Sequence, residues 1–212
     1  MGQKLSSSTT STTTSTTAST PKMISANALI RKGMMQFRNN EVEESIKTFD
    51  EVLALDESKR PYLWQRGLSL YYVQEFQKGS EQFRIDVAVN PNDTEESIWA
   101  LMCEAMMSGF DKAQSDLLVV GRDVRPVMRA AYEMFRGDGS IESLKAAAAS
   151  NNHDHDAFYS LLYQGLYFEA RSDALLAKDA ILRSLQTTYA QSSDDYMVSL
   201  AAIHVKRRGW DV

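Results

Sequence analysis

From about residue 26 onward the apolar residues recur three and four positions apart. In ALIRKGMMQFR, Ile30, Met34 and Phe37 fall on one face, the spacing of a helix that presents a stripe to a neighbour. Alternation long enough for a half-buried strand does not occur. The run LLVV at 117–120 is the best strand candidate, and in its helical surroundings it reads as the end of a helix. The four prolines, Pro21, Pro61, Pro91 and Pro126, are expected at segment starts or in turns, because the ring removes a donor and clashes in a helix interior. The pattern predicts an all-α chain.

The helical pattern repeats with a stride of 34 residues. Residues 28–58 (ALIRKGMMQFRNNEVEESIKTFDEVLALDES) set beside residues 62–92 (YLWQRGLSLYYVQEFQKGSEQFRIDVAVNPN) match Leu29 with Leu63, Gly33 with Gly67 and Val42 with Phe76. Ser45 then meets Gly79, Phe49 meets Phe83 and Asp56 meets Asn90. Large residues recur at large positions and small ones at small positions, as helix pairs that pack tightly and then stack require. A third copy stands in LLYQGLYFEARSDALLAKDAILRSL, where Leu161, Gly165, Phe168, Ala177 and Ile181 take the same roles.

These residues resemble the tetratricopeptide repeat family, whose pattern is a large apolar residue, Gly, an aromatic, a small residue, Phe and a late Pro. Leu63, Gly67, Tyr71, Gly79, Phe83 and Pro91 fill those places. The first copy departs from the pattern with Gln36 for the aromatic and Glu57 for the proline. Within the class, RPYLWQRGLSLYY and NPNDTEESIWALMCEA are similar to a branch of bacterial outer-membrane lipoproteins that scaffold cell-wall hydrolases, and to related stand-alone proteins. The lipidated cysteine and signal peptide of that branch find no counterpart here, so the resemblance implies the fold and an adaptor character and not the anchoring. It implies a right-handed solenoid of helical hairpins. Residues 94–157 are weaker copies, and residues 26–191 have room for about five helix pairs. A final helix near 193–207 is expected as a cap, because the last repeat of a solenoid otherwise exposes an apolar face.

Composition refines this picture at the N-terminus. Ser and Thr fill 14 of the 15 positions in 6–20, which leaves nothing to bury against the entropy of ordering. Residues 1–23 are therefore expected to be a disordered tail, and 24–212 the repeat domain. Residues 1–40 hold five bases and no acid, leaving 18 bases against 28 acids and a net charge of −10 in 41–212. An acidic body argues against nucleic acid as a partner. Cys103 is the single cysteine and fits a reducing compartment. The start, Met1-Gly2 with Ser6, fits N-myristoylation at Gly2. One acyl chain without a polybasic run or a second lipid gives only weak, reversible membrane contact. Two other readings stand beside it: a plastid transit peptide, Ser-rich and acid-poor, and a plain tether. The location expected is cytoplasmic and membrane-associated if Gly2 is acylated, with a plastid as the alternative.

Candidate chemistry is sparse. The first helices of the first two pairs place Ile30, Met34 and Phe37, then Trp64, Leu68, Tyr71 and Tyr72, toward a concave face. As a groove, such a stripe suits an amphipathic helix or apolar segment of a partner; as interhelical core, it needs no partner. Trp64 and Tyr72 are the residues expected to be exposed in a groove. The tetratricopeptide clamp for C-terminal carboxylates would need Lys and Asn where Ile30 and Met34 stand. His153, Asp154, His155 and Asp156 read as a helix–helix loop, with Asp156 capping a helix from Ala157, rather than as a metal site. No nucleophile motif or phosphate-binding loop occurs, so no cofactor, metal or catalytic residue is assigned. The sequence points to a non-catalytic adaptor holding a protein or peptide. The alternative is a homo-oligomer joined through Met102, Met106, Met107 and Phe110.

Overall fold

A computed structural model describes Met1, residues 25–150 and residues 153–210. The tail, Gly2 included, and the terminal Val212 lie outside the described residues. Among the described residues the regular elements are all helices, with no strand. Ten helices form adjacent pairs: α1 (Ala26–Arg38) with α2 (Val42–Leu55), α3 (Trp64–Tyr72) with α4 (Phe76–Val89), α5 (Thr94–Ser108) with α6 (Phe110–Ser115), α7 (Pro126–Arg136) with α8 (Ile141–Ser150), and α9 (Asp154–Ala170) with α10 (Ala174–Ser184). A 3-10 turn, Glu57–Tyr62, joins the first two pairs, and the short α11 (Thr188–Ser192) leads into α12 (Tyr196–Arg207).

The sequence stride has a direct structural counterpart in the tight turns. Asn40, Gln74 and Ser172 all sit in the left-handed region, at φ 65°, 65° and 63°. In each turn the next residue's N–H reaches back to the last turn of the preceding helix: Glu41 to Gln36 O at 2.8 Å, Glu75 to Leu70 O at 3.0 Å and Asp173 to Phe168 O at 2.9 Å. This is the Schellman-type closure that satisfies orphan carbonyls at a helix end. Each turn lies seven residues after a helix-crossing glycine. A Cβ on Gly33 would stand 2.7 Å from the Phe49 ring, and one on Gly67 2.7 Å from the Phe83 ring. On Gly165 it would collide with Ile181. The same pairing of an absent side chain with a large one thus sets three crossings.

Other stops and starts follow local chemistry. Ser25, Asp93, Asp173 and Asp195 accept from N–H groups in the first turns of α1, α5, α10 and α12, as good N-caps do. Pro126 opens α7, and Gly137 closes it at φ 92°. The 117–120 run is not a helix end: α6 stops at Ser115. The Ser97 hydroxyl donates to Leu118 O at 2.7 Å, and the Tyr132 hydroxyl donates to the same oxygen at 3.1 Å and accepts from Val120 N–H at 3.3 Å. Side chains from α5 and α7 thereby satisfy a backbone that has left the helix. Asp156 does not cap a helix from Ala157; the helix begins at Asp154, and Asp156 lies buried inside it.

In a linear stack each repeat touches only its neighbours. Here α9 also packs on α5, two pairs back, and α12 packs on both α10 and α1. The last element meets the first. The main core runs through all of these elements, while Leu29, Phe49, Val52, Leu53 and Leu63 form a smaller core under the first pair.

Candidate functional site

Part of the stripe predicted for the groove, Phe37, Trp64, Tyr71 and Tyr72, meets the chain's own C-terminal helix and its cap. Phe37, Leu68 and Tyr71 are fully buried, and Tyr72 is 5% exposed, so the expected exposure of Tyr72 is not met. Ile30 and Met34 are partly buried against the smaller core. Trp64 alone among the pair keeps partial exposure. Tyr196, at the start of α12, stacks on Phe37 with ring centroids 5.3 Å apart and meets Trp64 edge-on, also at 5.3 Å. The sequence suggested α12 only as a cap; the apolar face of the helix, with Leu200, Ala201 and Ile203 buried, has instead found the aromatic stripe.

Polar groups fix α12 in place. Glu169 of α9 accepts from the Tyr71 hydroxyl at 2.5 Å and pairs with both Arg208 and His204 Nε2. His204 Nδ1 lies 2.9 Å from the Tyr72 hydroxyl. Burial pushes the Glu169 carboxyl up, but His204 and Arg208 outweigh it and hold it at about 2. Burial pushes Tyr71 and Tyr72 well above the ordinary tyrosine range, so both stay protonated. The network joins α3, α9 and α12 and uses its buried charges on one another, the condition under which burying them is tolerable.

Beside the start of α12 lies a cavity of about 290 Å³. Trp64, Trp99, Tyr159 and Tyr196 form its aromatic walls, and Asp93, Glu95, Glu96 and Asp195 its acidic side. Most of these acids have local duties. Asp93 caps α5, accepting from Glu95 and Glu96 N–H at 2.9 and 3.3 Å. Asp195 caps α12 and accepts from the Tyr159 and Tyr189 hydroxyls at 2.9 and 2.7 Å. Glu95 holds Arg125 at 2.7 Å and Tyr163 at 2.8 Å. Glu96 differs. It is 8% exposed, and its Oε2 is buried without a hydrogen-bond partner among the described residues. Burial first, then Asp93, Asp86 and Glu95, push its carboxyl up to about 8. The Tyr196 hydroxyl and the Trp99 indole N–H are buried and unpartnered as well.

Sequence reading missed this cavity. Glu95 and Glu96 look like ordinary acids in the first turn of a helix, where the dipole favours them, and Tyr159, Asp195 and Tyr196 belong to elements far away in the chain. The other candidates separate. Met102 and Phe110 are buried in the chain's own core, while Met106 and Met107 are 44% and 45% exposed. His153 and His155 stack with centroids 5.4 Å apart, and no metal-ligand group of three stands among the described residues. Among them, too, no helix is long and apolar enough to cross a membrane. Compared with protein-family models and with curated proteins, the chain matches none.

Proposed function

We propose that this protein is a non-catalytic interaction scaffold: a right-handed, tetratricopeptide-like stack of five helix pairs, closed by α12, that binds a segment of a partner protein at the edge where α12 begins. The observation that carries this reading is the seating of α12 on the aromatic stripe. A face built from Phe37, Leu68, Tyr71 and Tyr72 takes an amphipathic helix, which is the helix-in-groove mode of peptide recognition. With the chain's own helix seated there, the exposed edge of Trp64 and the adjoining cavity are what remain for a partner, and aromatic anchors of this kind dominate binding energy. The recurrence of turn and glycine crossing at three hairpins supports the repeat reading, and the reach of α9 and α12 back to earlier pairs gives the stack its closure.

Proximity labelling with wild-type protein and with Trp64→Glu tests the reading. A partner labelled by the wild type and lost with the variant, at unchanged melting temperature, supports it. An identical set of labelled proteins removes this edge as the contact. The single, buried Cys103 fits a reducing compartment, cytoplasmic or plastid, and acylation of Gly2 would add reversible membrane contact; the mass of the mature N-terminus separates acylation, cleavage and a plain tether. A homo-oligomer is a second reading, favoured by the adjacent exposed Met106 and Met107. Light scattering decides it: a monomer ends that reading.

A further inference from the structure

We infer that the cavity between α3, α4, α5, α9 and α12 binds an organic cation, an alkylguanidinium or alkylammonium group, with its charge at Glu96 and its stem along the aromatic walls. The inference is independent of the adaptor reading, since it needs only the cavity.

Three observations converge on it. The first is size: a cavity of about 290 Å³ has room for the end of an arginine or lysine side chain. The second is lining chemistry. Trp64, Trp99, Tyr159 and Tyr196 are among its lining residues, no Lys or Arg lines the cavity, and four acids do; the Tyr196 ring already has the Arg38 guanidinium 5.5 Å from its centroid. Aromatic faces attract cations through the ring quadrupole, most strongly when desolvated. The third is the unspent Glu96. Asp93 and Asp195 are committed to helix caps and Glu95 to Arg125, so local structure accounts for three of the four acids. The fourth is more than nine-tenths buried, unpartnered, and set into the cavity wall. Glu96, pushed up to about 8, holds a proton at neutral pH when no cation is bound; a bound cation favours release of that proton and becomes the partner of the carboxylate left behind. An anionic ligand would meet only negative charge there, and a metal ion would lack a cluster of three ligands among the described residues.

The cation can arrive free or on a polypeptide, and the test separates the two. The full-length protein is titrated at physiological salt with agmatine and, separately, with a short peptide carrying one arginine between glycines, read by tryptophan fluorescence and by calorimetry. Saturable binding is expected for at least one probe. Glu96→Gln should weaken it about tenfold or more, in line with loss of a charged hydrogen bond. Trp64→Ala should weaken it severalfold, while Glu142→Gln, on an exposed site of α8, leaves it unchanged. Tighter binding of the peptide identifies a partner's side chain as the source, and equal binding identifies a small amine. No saturable binding of either probe, or equal binding to the wild type and Glu96→Gln, overturns the assignment. If both probes fail while a partner is still lost with Trp64→Glu, the adaptor reading survives without the cation site.

Discussion

Arg207 and Glu43 stand 164 positions apart in the chain and meet in a two-pronged ion pair, Nη1 to Oε1 at 2.8 Å and Nη2 to Oε2 at 2.9 Å. The same guanidinium donates to the Asn40 side-chain and backbone oxygens at 2.8 and 3.1 Å. Asn40 is the left-handed residue of the first hairpin turn, so the end of α12 is tied to the turn of the first pair. At the other end of the seam Arg38 donates to Asp194 O at 2.8 Å.

This tie gives a first prediction. Glu43 is largely exposed, so its share of the pair is worth little by itself; the bonds to Asn40 add to it. Arg207→Ala should cost about 1 kcal/mol in urea unfolding. Hydrogen exchange should accelerate in α12 and in the turn at Asn40 more than in α7 and α8. Uniform acceleration across the chain would mean that the seam is not a separate unit of stability.

The crossing glycines give a second. Gly33→Ala and Gly67→Ala each drive a methyl against a buried phenylalanine ring at 2.7 Å. Phe49 and Phe83 are at most 1% exposed, and a ring that shifts gives up its other contacts even where, as for Phe83, a cavity lies beside it. Overpacking of this kind costs about 1–3 kcal/mol. Thermal and urea denaturation of the two variants should show losses of similar size, because the two crossings are equivalent. A neutral Gly67→Ala would mean that the pair can separate, and that the stride in the sequence has another cause.

What was legible in the sequence was what repeats. The spacing of Gly33, Gly67 and Gly165 carried the hairpins, because one tight crossing requires one residue type at one place. The closure was not legible. It depends on Tyr196 meeting Phe37, on His204 meeting Tyr72 and on Arg207 meeting Asn40, contacts with no periodic signature between residues more than a hundred positions apart. Phe37, Leu68, Tyr71 and Tyr72 are buried in the main core, and nothing in their own segments said that α12 would meet that face. The cavity escaped for a related reason: its walls come from five helices, and its uncommitted acid is distinguished from Glu95 only by lacking a partner in space. The 117–120 run was misread because its apolar residues suit a helix, while the hydroxyls of Ser97 and Tyr132 that hold it open lie elsewhere.

The turns give a third prediction. Gln74 occupies the left-handed region at φ 65°, where a side chain costs roughly 1–2 kcal/mol and glycine pays only its larger entropy loss. Its side chain is exposed and makes no hydrogen bond among the described residues. Gln74→Gly should therefore raise stability by roughly 0.5–1 kcal/mol. Ser172→Gly should do the same at the third equivalent turn. Asn40 should gain less, since asparagine tolerates this conformation and its side chain already receives Arg207. A destabilised Gln74→Gly would show that the side chain has a role the backbone geometry does not reveal.

The buried acids set the pH dependence. Glu96 is pushed up to about 8, by burial first and then by Asp93, Asp86 and Glu95; Asp86 is pushed up to about 7, again by burial first. The groups around them are Asp86 on α4, Asp93 and Glu95 at the start of α5, Tyr159 and Tyr163 on α9, and Asp195 and Tyr196 at the start of α12, with Arg125 held by Glu95 and Asp123. Both shifts are upward, so between about pH 4 and pH 8 the folded chain binds more protons than the unfolded chain, and stability falls as pH rises through that window. Glu169 is shifted the other way, to about 2, and its contribution is complete above its unfolded value near 4.5 and is lost only as pH falls toward 2. It therefore adds no slope between pH 5 and 8. The melting temperature should decline from pH 5 to pH 8. Glu96→Gln should match the wild type near pH 5, exceed it at pH 8 and show the shallower slope. A wild-type melting temperature that climbs across this range, or a variant with the wild-type slope, would mean that Glu96 already has a countercharge in the unliganded fold.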